Sequence, residues 1–442
     1  MDNASLDRAW TPQSLLLFAF PSIVMMLFMG LYTAVDTIFA ARFVNTDALS
    51  AINIVCPMVN LTVGFATMIA TGGNALVSRK MGEGRFREAR QDFTLLILAG
   101  ITGGVLLTLF GTLFLDELLR ALGASPRLFP YCKAYLQTLL LFLPASVLQT
   151  LFSNLFVTAG RPGLGFALSL LAGIANIVLD YIFMVPRALG IRGAALGTGV
   201  GYLIPALSGL IFFARTGGPL SFTRPRWSAP TLLEACFNGS SEMVSQLSSA
   251  VTTYLFNHVM LALRGEPGVA AITILIYAQF LLNTLFIGYS IGVAPIIGFL
   301  HGSGDAVRQK KVLRISLAFI AGASIAIFAI SRLGGAHIAA LFATDSPEVL
   351  RMASDGFAIF SYSFLFCGVN IFTSAMFTAL SNGRLSAALS FLRTFGLLAG
   401  GILLLPRVFG IIGVWLAVPV AEFVMFFVSC GCFAYPREEH RP

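Results

Sequence analysis

Apolar stretches of roughly 20–30 residues alternate along the chain with short polar joints, and each is long enough to cross a bilayer core of about 30 Å as a helix. They fall near 13–41, 48–78, 91–115, 128–159, 164–186 and 193–214. After a polar, proline-bearing joint at 215–230 (RTGGPLSFTRPRWSAP), six more follow near 231–263, 268–300, 312–331, 348–380, 385–406 and 411–435. The pattern predicts an all-α integral membrane protein of twelve transmembrane helices. The expected division is a six-helix lobe over 1–214, a linker at 215–230 and a second six-helix lobe over 231–442. The first stretch is far longer than a signal-peptide core and has no A-x-A site, so it reads as a retained span.

The two halves resemble each other. MGEGRFREARQDF (81–93) aligns with HGSGDAVRQKKVL (301–313), and GIRGAALGTGVG (190–201) with GIIGVWLAVPVA (410–421), both at an offset of 220. FVTAGRPGLGFALSL (156–170) aligns with FTALSNGRLSAALSF (377–391) at 221. Six helices per repeat keep both halves in one orientation. The expectation is therefore two pseudo-symmetric bundles in a parallel repeat, rocking about a central cleft. That architecture points to a transporter.

Composition removes the soluble alternatives. Hydrophobic residues make up 57% of the chain and charged ones 11%, against about 25% charged in globular proteins. The excess of 28 Lys and Arg over 20 acids would suggest nucleic acid in a soluble protein. Here it belongs to loops. Arg79, Lys80, Arg85, Arg87 and Arg90 fall in the second polar joint, and Arg308, Lys310 and Lys311 in the eighth with Arg314 at the start of the next span, so the positive-inside rule places both termini in the cytoplasm of a multi-pass cell-membrane protein. The six cysteines lack metal or disulfide spacing, and the four histidines are scattered, so no enzyme site is expected. Neither Gly-rich joint ends in G-K-[ST], which excludes a phosphate loop.

An acid at membrane depth is costly unless it is paired, protonated or in a wet cavity, which makes each one a functional candidate. Asp36 and Asp180 lie six and seven residues before Arg42 and Arg187 at the outer ends of spans 1 and 5. Thr198 lies six after Arg192, and Tyr135 eight after Arg127. All four are thus roughly 9–12 Å below the outer surface. Asn176 and Tyr32 precede Asp180 and Asp36 by one turn on the same helix faces. Two acids in a dry cleft cannot both ionise cheaply, so such a pair can take up and release a proton as access alternates. The same oxygens suit a sodium ion, with Asp36, Asn176, Asp180 and Thr198 as its ligands. Proton and sodium both stay open.

The second half does not repeat this site, since Gly396 and Gly400 stand opposite Asn176 and Asp180. It has its own intramembrane charges in Glu242, Arg393 and Glu422. Arg393 with Glu422 reads either as an ion pair locking the lobe or as a functional pair. Glu242, without an assigned partner, is a candidate for attracting a cationic substrate. Pro21 in the first span predicts a bend, either static or coupled to Asp36.

The stretches FPSIVMMLFMGLYTAVDTIFAARF, ALVSRKMGEGRFREAR, NLFVTAGRPGLGFALSL, NIVLDYIFMVPRALGIRGAALGTGVG, GYSIGVAPIIGFLHGSGDAVRQKKVL and FGIIGVWLAVPVAE together resemble a multidrug and toxic compound extrusion (MATE) transporter over essentially the whole length. The resemblance implies two six-helix lobes around a cleft, and export of amphipathic, often cationic compounds in exchange for H+ or Na+. It implies an ion site at Asp36, Asn176, Asp180 and Thr198, a bending proline at Pro21, and a cavity-facing Tyr32 and Asn154. Family members with a second-lobe ion site carry an acid matched by Glu242 and another in the tenth span, for which this chain has no clear counterpart. The partners expected are small organic cations and membrane lipid, with no nucleic acid and no cofactor beyond the coupling ion, acting on a monomer. The competing expectation within the superfamily is a lipid-linked saccharide flippase, which calls for a cationic cavity.

Overall fold

The computed structural model describes residues 6–44, 46–215, 218–342 and 346–434, with the side chains of 33–38, 40–42, 46, 49, 341–342 and 434 excepted. All regular structure among the described residues is helical. In lipid every backbone polar group must be satisfied within its own segment, which leaves the helix as the solution for these apolar runs.

The first half comprises α1 (Pro12–Phe43), α2 (Thr46–Gly82), α3 (Phe86–Leu113), the bent α4 (Phe129–Leu141 with Leu143–Thr158), α5 (Pro162–Met184) and α6 (Ile191–Arg215). In the second, a single run, Ser240–Gly302, supplies α7 and α8. It breaks at Gly265 (φ 65°, ψ −155°), just before Pro267, so the expected loop between spans seven and eight is one left-handed residue. Then come α9 (Ala306–Phe342), α10 (Pro347–Phe360 continuing to Phe364–Ala379), α11 (Gly383–Phe391 continuing to Ala399–Phe409) and α12 (Ile411–Ala434). Twelve passes result among the described residues, once the Ser240–Gly302 run is divided at Gly265, as the hydropathy pattern predicts.

Local chemistry explains the irregular places. The two limbs of α4 meet at 55°. Pro144 has no N–H for the Leu140 carbonyl, and Thr108 Oγ1 on α3 donates to that oxygen at 2.7 Å instead. By contrast, α1 runs unbroken through Pro21. Within α11, Leu392–Leu398 forms a wide π-turn that carries Arg393.

The described part of the joint, from Gly218 on, is docked rather than free. Arg90 of α3 donates to the carbonyls of Gly218 (2.9 Å) and Pro219 (3.1 Å), and the Phe222 ring lies 5.3 Å from that of Phe93. A short helix, Ala229–Asn238, follows, its start capped by the Ser228 hydroxyl, which accepts from the Thr231 amide. The seventh span therefore starts at Ser240 and not at 231, because the chain breaks at Gly239 where it meets α2.

The internal repeat reappears in backbone geometry. Gly84 and Gly304 have φ of 76° and 70°, and Gly190 and Gly410 have 59° and 58°. Gly160 (73°) has Ser381 (59°) as its mate at the 221 offset. Turns of matching hand at matching positions are what a parallel duplication leaves behind.

Candidate functional site

Asn176 and Asp180 lie one turn apart on the buried side of α5. Helix α6 passes directly over them because Gly193, Gly197 and Gly201 repeat every fourth residue on its facing side, and small residues let membrane helices approach closely. A Cβ on Gly193 would meet the Phe183 backbone at 2.9 Å, and one on Gly201 would meet Asn176 Cβ at 3.4 Å. One on Gly197 would sit 3.0 Å from Asp180 Cγ and overlap its Oδ1. Asp180 is fully buried as a result. The next residue, Thr198, accepts a hydrogen bond from Asn176 Nδ2 at 3.3 Å. Three of the four expected ion-site residues are thus brought together by two helices.

The first helix joins them from the side. A Cβ on Gly173 would overlap the Phe28 ring and lie 3.2 Å from the Tyr32 ring, so Tyr32 rests on α5 one turn before Asn176. The backbone of Asp36 lies within α1, and its side chain lies outside what the structure describes. Tyr135 of α4 is buried, in one apolar cluster with Met184, Ile191, Ala194 and Ala195 at the α5–α6 end. Gly197 escaped the sequence reading. Its signal was the four-residue glycine spacing in GIRGAALGTGVG.

Of the residues expected to face substrate, Asn154 is 7% exposed, and its Nδ2 donates back to the Thr150 carbonyl of its own helix at 3.0 Å. Nearby, the Thr158 hydroxyl donates to Asn74 Oδ1, a buried bond between α4 and α2. Glu242 stands in the first turn of α7, half-buried, three residues beyond the Gly239 break.

In the second half, Arg393 Nε and Nη2 both donate to Glu422 Oε1, at 2.9 and 2.6 Å. Asn370 of α10 completes the arrangement. Its Nδ2 donates to Glu422 Oε2 (2.7 Å) and to the Glu422 carbonyl (2.9 Å), while Ser429 Oγ donates to Asn370 Oδ1 at 2.8 Å. An ion pair away from water needs its remaining lone pairs satisfied, and Asn370 does that. The pairing needed α10, α11 and α12 in register, so the sequence showed the two charges but not Asn370.

The carboxylate, amide and hydroxyl oxygens on α5 and α6 are of the type that hard cations take as ligands; among the described residues no cluster of three or more His, Cys, Asp or Glu could hold a metal ion. A family model, MatE, matches residues 21–182 and 241–399, which is most of both halves. The chain belongs to the MatE family. Among its relatives are multidrug export proteins MepA of Staphylococcus haemolyticus, 24% identical over 93% of this chain and 91% of that one, and of Staphylococcus saprophyticus, 23% identical over 92% and 89%. The fold is that of MATE transporters. A crystal structure of MATE in complex with MaL6 matches with a TM-score of 0.91 at 20% identity, covering 97% of each chain. A Vibrio cholerae MATE transporter, VcmN, matches at 0.89 and 21%, covering 96% of each. This member of the family is a multi-pass membrane transporter.

Proposed function

We propose that the protein is a secondary active antiporter that exports amphipathic, often cationic compounds in exchange for H+ or Na+. The observation that carries the reading is the fully buried Asp180 carboxylate beside the hydrogen-bonded Asn176–Thr198 pair. A buried acid with neighbouring amide and hydroxyl groups exchanges a proton or a sodium ion as access alternates, while a permanently buried charge would only cost stability. Asp36, one turn beyond Tyr32 on α1, is the second acid of this site. In this reading 1–214 is the ion-coupling lobe, 231–442 the second lobe, and both termini are cytoplasmic, which puts the basic segments 79–90 and 308–314 on the inside. Glu242 attracts the cationic substrate. The drug-export names of the MepA relatives support the substrate class.

The flippase reading calls for free positive charge in the cleft, and Arg393 is neutralised by Glu422. The antiporter is preferred for that reason. Efflux of a fluorescent lipophilic cation from proteoliposomes, driven separately by a proton and by a sodium gradient, tests it. Transport should follow one gradient and vanish in Asp180→Asn. Folded protein that moves no cation under either gradient would overturn the proposal.

A further inference from the structure

The two halves meet in a seam built on backbone contact. On α2 and α8, Ser78 and Gly298 are mates at the 220 offset, and they touch each other: a Cβ on Gly298 would lie 3.4 Å from Ser78 Cβ. One turn further on, a Cβ on Gly82 would overlap the Phe299 carbonyl oxygen and sit 2.9 Å from both Phe299 C and Ser303 N. A Cβ on Gly302 would overlap the Arg79 carbonyl oxygen and sit 2.8 Å from Arg79 C. Since 79 and 299, like 82 and 302, are mates at the 220 offset, these are one contact made twice about a pseudo-two-fold axis. The flanks obey the same operation. Gly72 of α2 meets Gly239 before α7, its Cβ falling 2.6 Å from Gly239 N, and Gly292 of α8 meets Ala19 of α1, 2.8 Å from its Cα. Residues 72 and 292, and 19 and 239, are mates too.

Ion pairs cross the halves at the same end. Arg79 Nη2 lies 3.0 Å from Glu234 Oε1, and Arg308 Nη1 lies 2.7 Å from Asp7 Oδ1. Surface pairs of this kind contribute little alone, so the tight glycine contacts set how closely the halves approach. The neighbours of these glycines are main-chain atoms, which cannot swing aside as a side chain can, and close-packed interfaces switch between arrangements rather than deform gradually.

We propose that this two-fold glycine seam is the gate that shuts the basic end of the cleft, and that the missing side chains at Gly82 and Gly302 set the balance between closed and open at that end. The inference rests on the alternating-access reading above. It goes further in naming the contact that holds one state.

The test places spin labels at Arg87→Cys and Val307→Cys, two exposed mates at the 220 offset in the first turns of α3 and α9 beyond the seam, with the exposed Cys56 and Cys430 replaced. Gly82→Ala and Gly302→Ala should each lengthen the distance by about 5 Å or more, the scale of a one-turn displacement. Gly163→Ala and Gly334→Ala, where an added Cβ meets nothing within 4 Å, should leave it as in wild type. An unchanged distance in either seam variant, or an equal shift in the controls, overturns the proposal. A second arm keeps the seam native: a bifunctional reagent joining positions 87 and 307 should stop transport, and its reductive cleavage should restore it. Continued transport through the cross-linked protein overturns the gate. Since the distances are read without transport, inactive protein with the expected shifts would sink the antiporter reading alone.

Discussion

Gly197 on α6 faces Asp180 on α5 so closely that the carboxylate occupies the space of a methyl group. The acid is held dry by the helix passing over it, and the glycine is what admits the helix. Gly197→Ala should therefore impair the site without altering any ligand. The forced separation of α5 and α6 should cost about 1–3 kcal/mol, as overpacking does, and gradient-driven efflux should fall sharply while Gly163→Ala stays near wild type. Thermal unfolding in detergent and proteoliposome efflux measure the two effects; wild-type behaviour in both would show that the approach is not tight.

Asp180→Asn keeps the shape of the side chain and removes its charge. Protein yield and melting temperature should be unchanged or raised, because a fully buried ionisable group no longer has to be accommodated. Ion-driven efflux should drop to background, as a gradient experiment on both proteins would reveal.

Glu422→Ala leaves Arg393 without its ion-pair partner and Asn370 with only the main-chain carbonyl as acceptor. The expected loss is about 3–5 kcal/mol, the usual result of removing one partner from a buried pair. The double change Arg393→Met with Glu422→Leu should recover most of it. A double variant that is stable and still exports cations would assign the pair to the structure; one that is stable and inactive would assign it to transport.

Ser381 holds φ 59° in the turn where its repeat mate is Gly160, and its buried hydroxyl oxygen has no hydrogen-bond partner among the described residues. A non-glycine residue in this region is strained by about 1–2 kcal/mol. Ser381→Gly should raise the unfolding temperature, as measured in detergent, with efflux unaffected.

Asp305 sits at the basic end, where the Arg308 amide (2.8 Å) and guanidinium donate to its carboxylate. Those bonds hold its carboxyl below the usual range. The sign follows: a lowered value adds stability above the ordinary carboxylate pH, and that contribution is lost as pH falls through the lowered value. Arg308 also reaches Asp7, so acidification should loosen the segment that carries the buried Trp10. Trp10 fluorescence, with Trp227 and Trp415 changed to Phe, should shift to the red in acid and not near neutrality.

Hydropathy, charge and repetition are local properties, and a bilayer converts them directly into helices because it leaves the backbone no other way to satisfy its polar groups. The sequence by itself therefore determined the twelve spans and the duplication, and it singled out Asp180, Asn176 and Thr198, which the fold brings together. It placed the seventh span's start too early, because the break at Gly239 comes from contact with α2, over 160 residues earlier in the chain. Likewise it could put Arg393 and Glu422 at membrane depth but not supply Asn370, which reaches them from α10. Tertiary structure alone decided that Gly197 lies over Asp180, that Gly82 and Gly302 meet backbone across a pseudo-two-fold axis, and that Arg393 stands on a π-turn. Each depends on the rotation and separation of two packed helices, and neighbours along the chain do not encode those quantities.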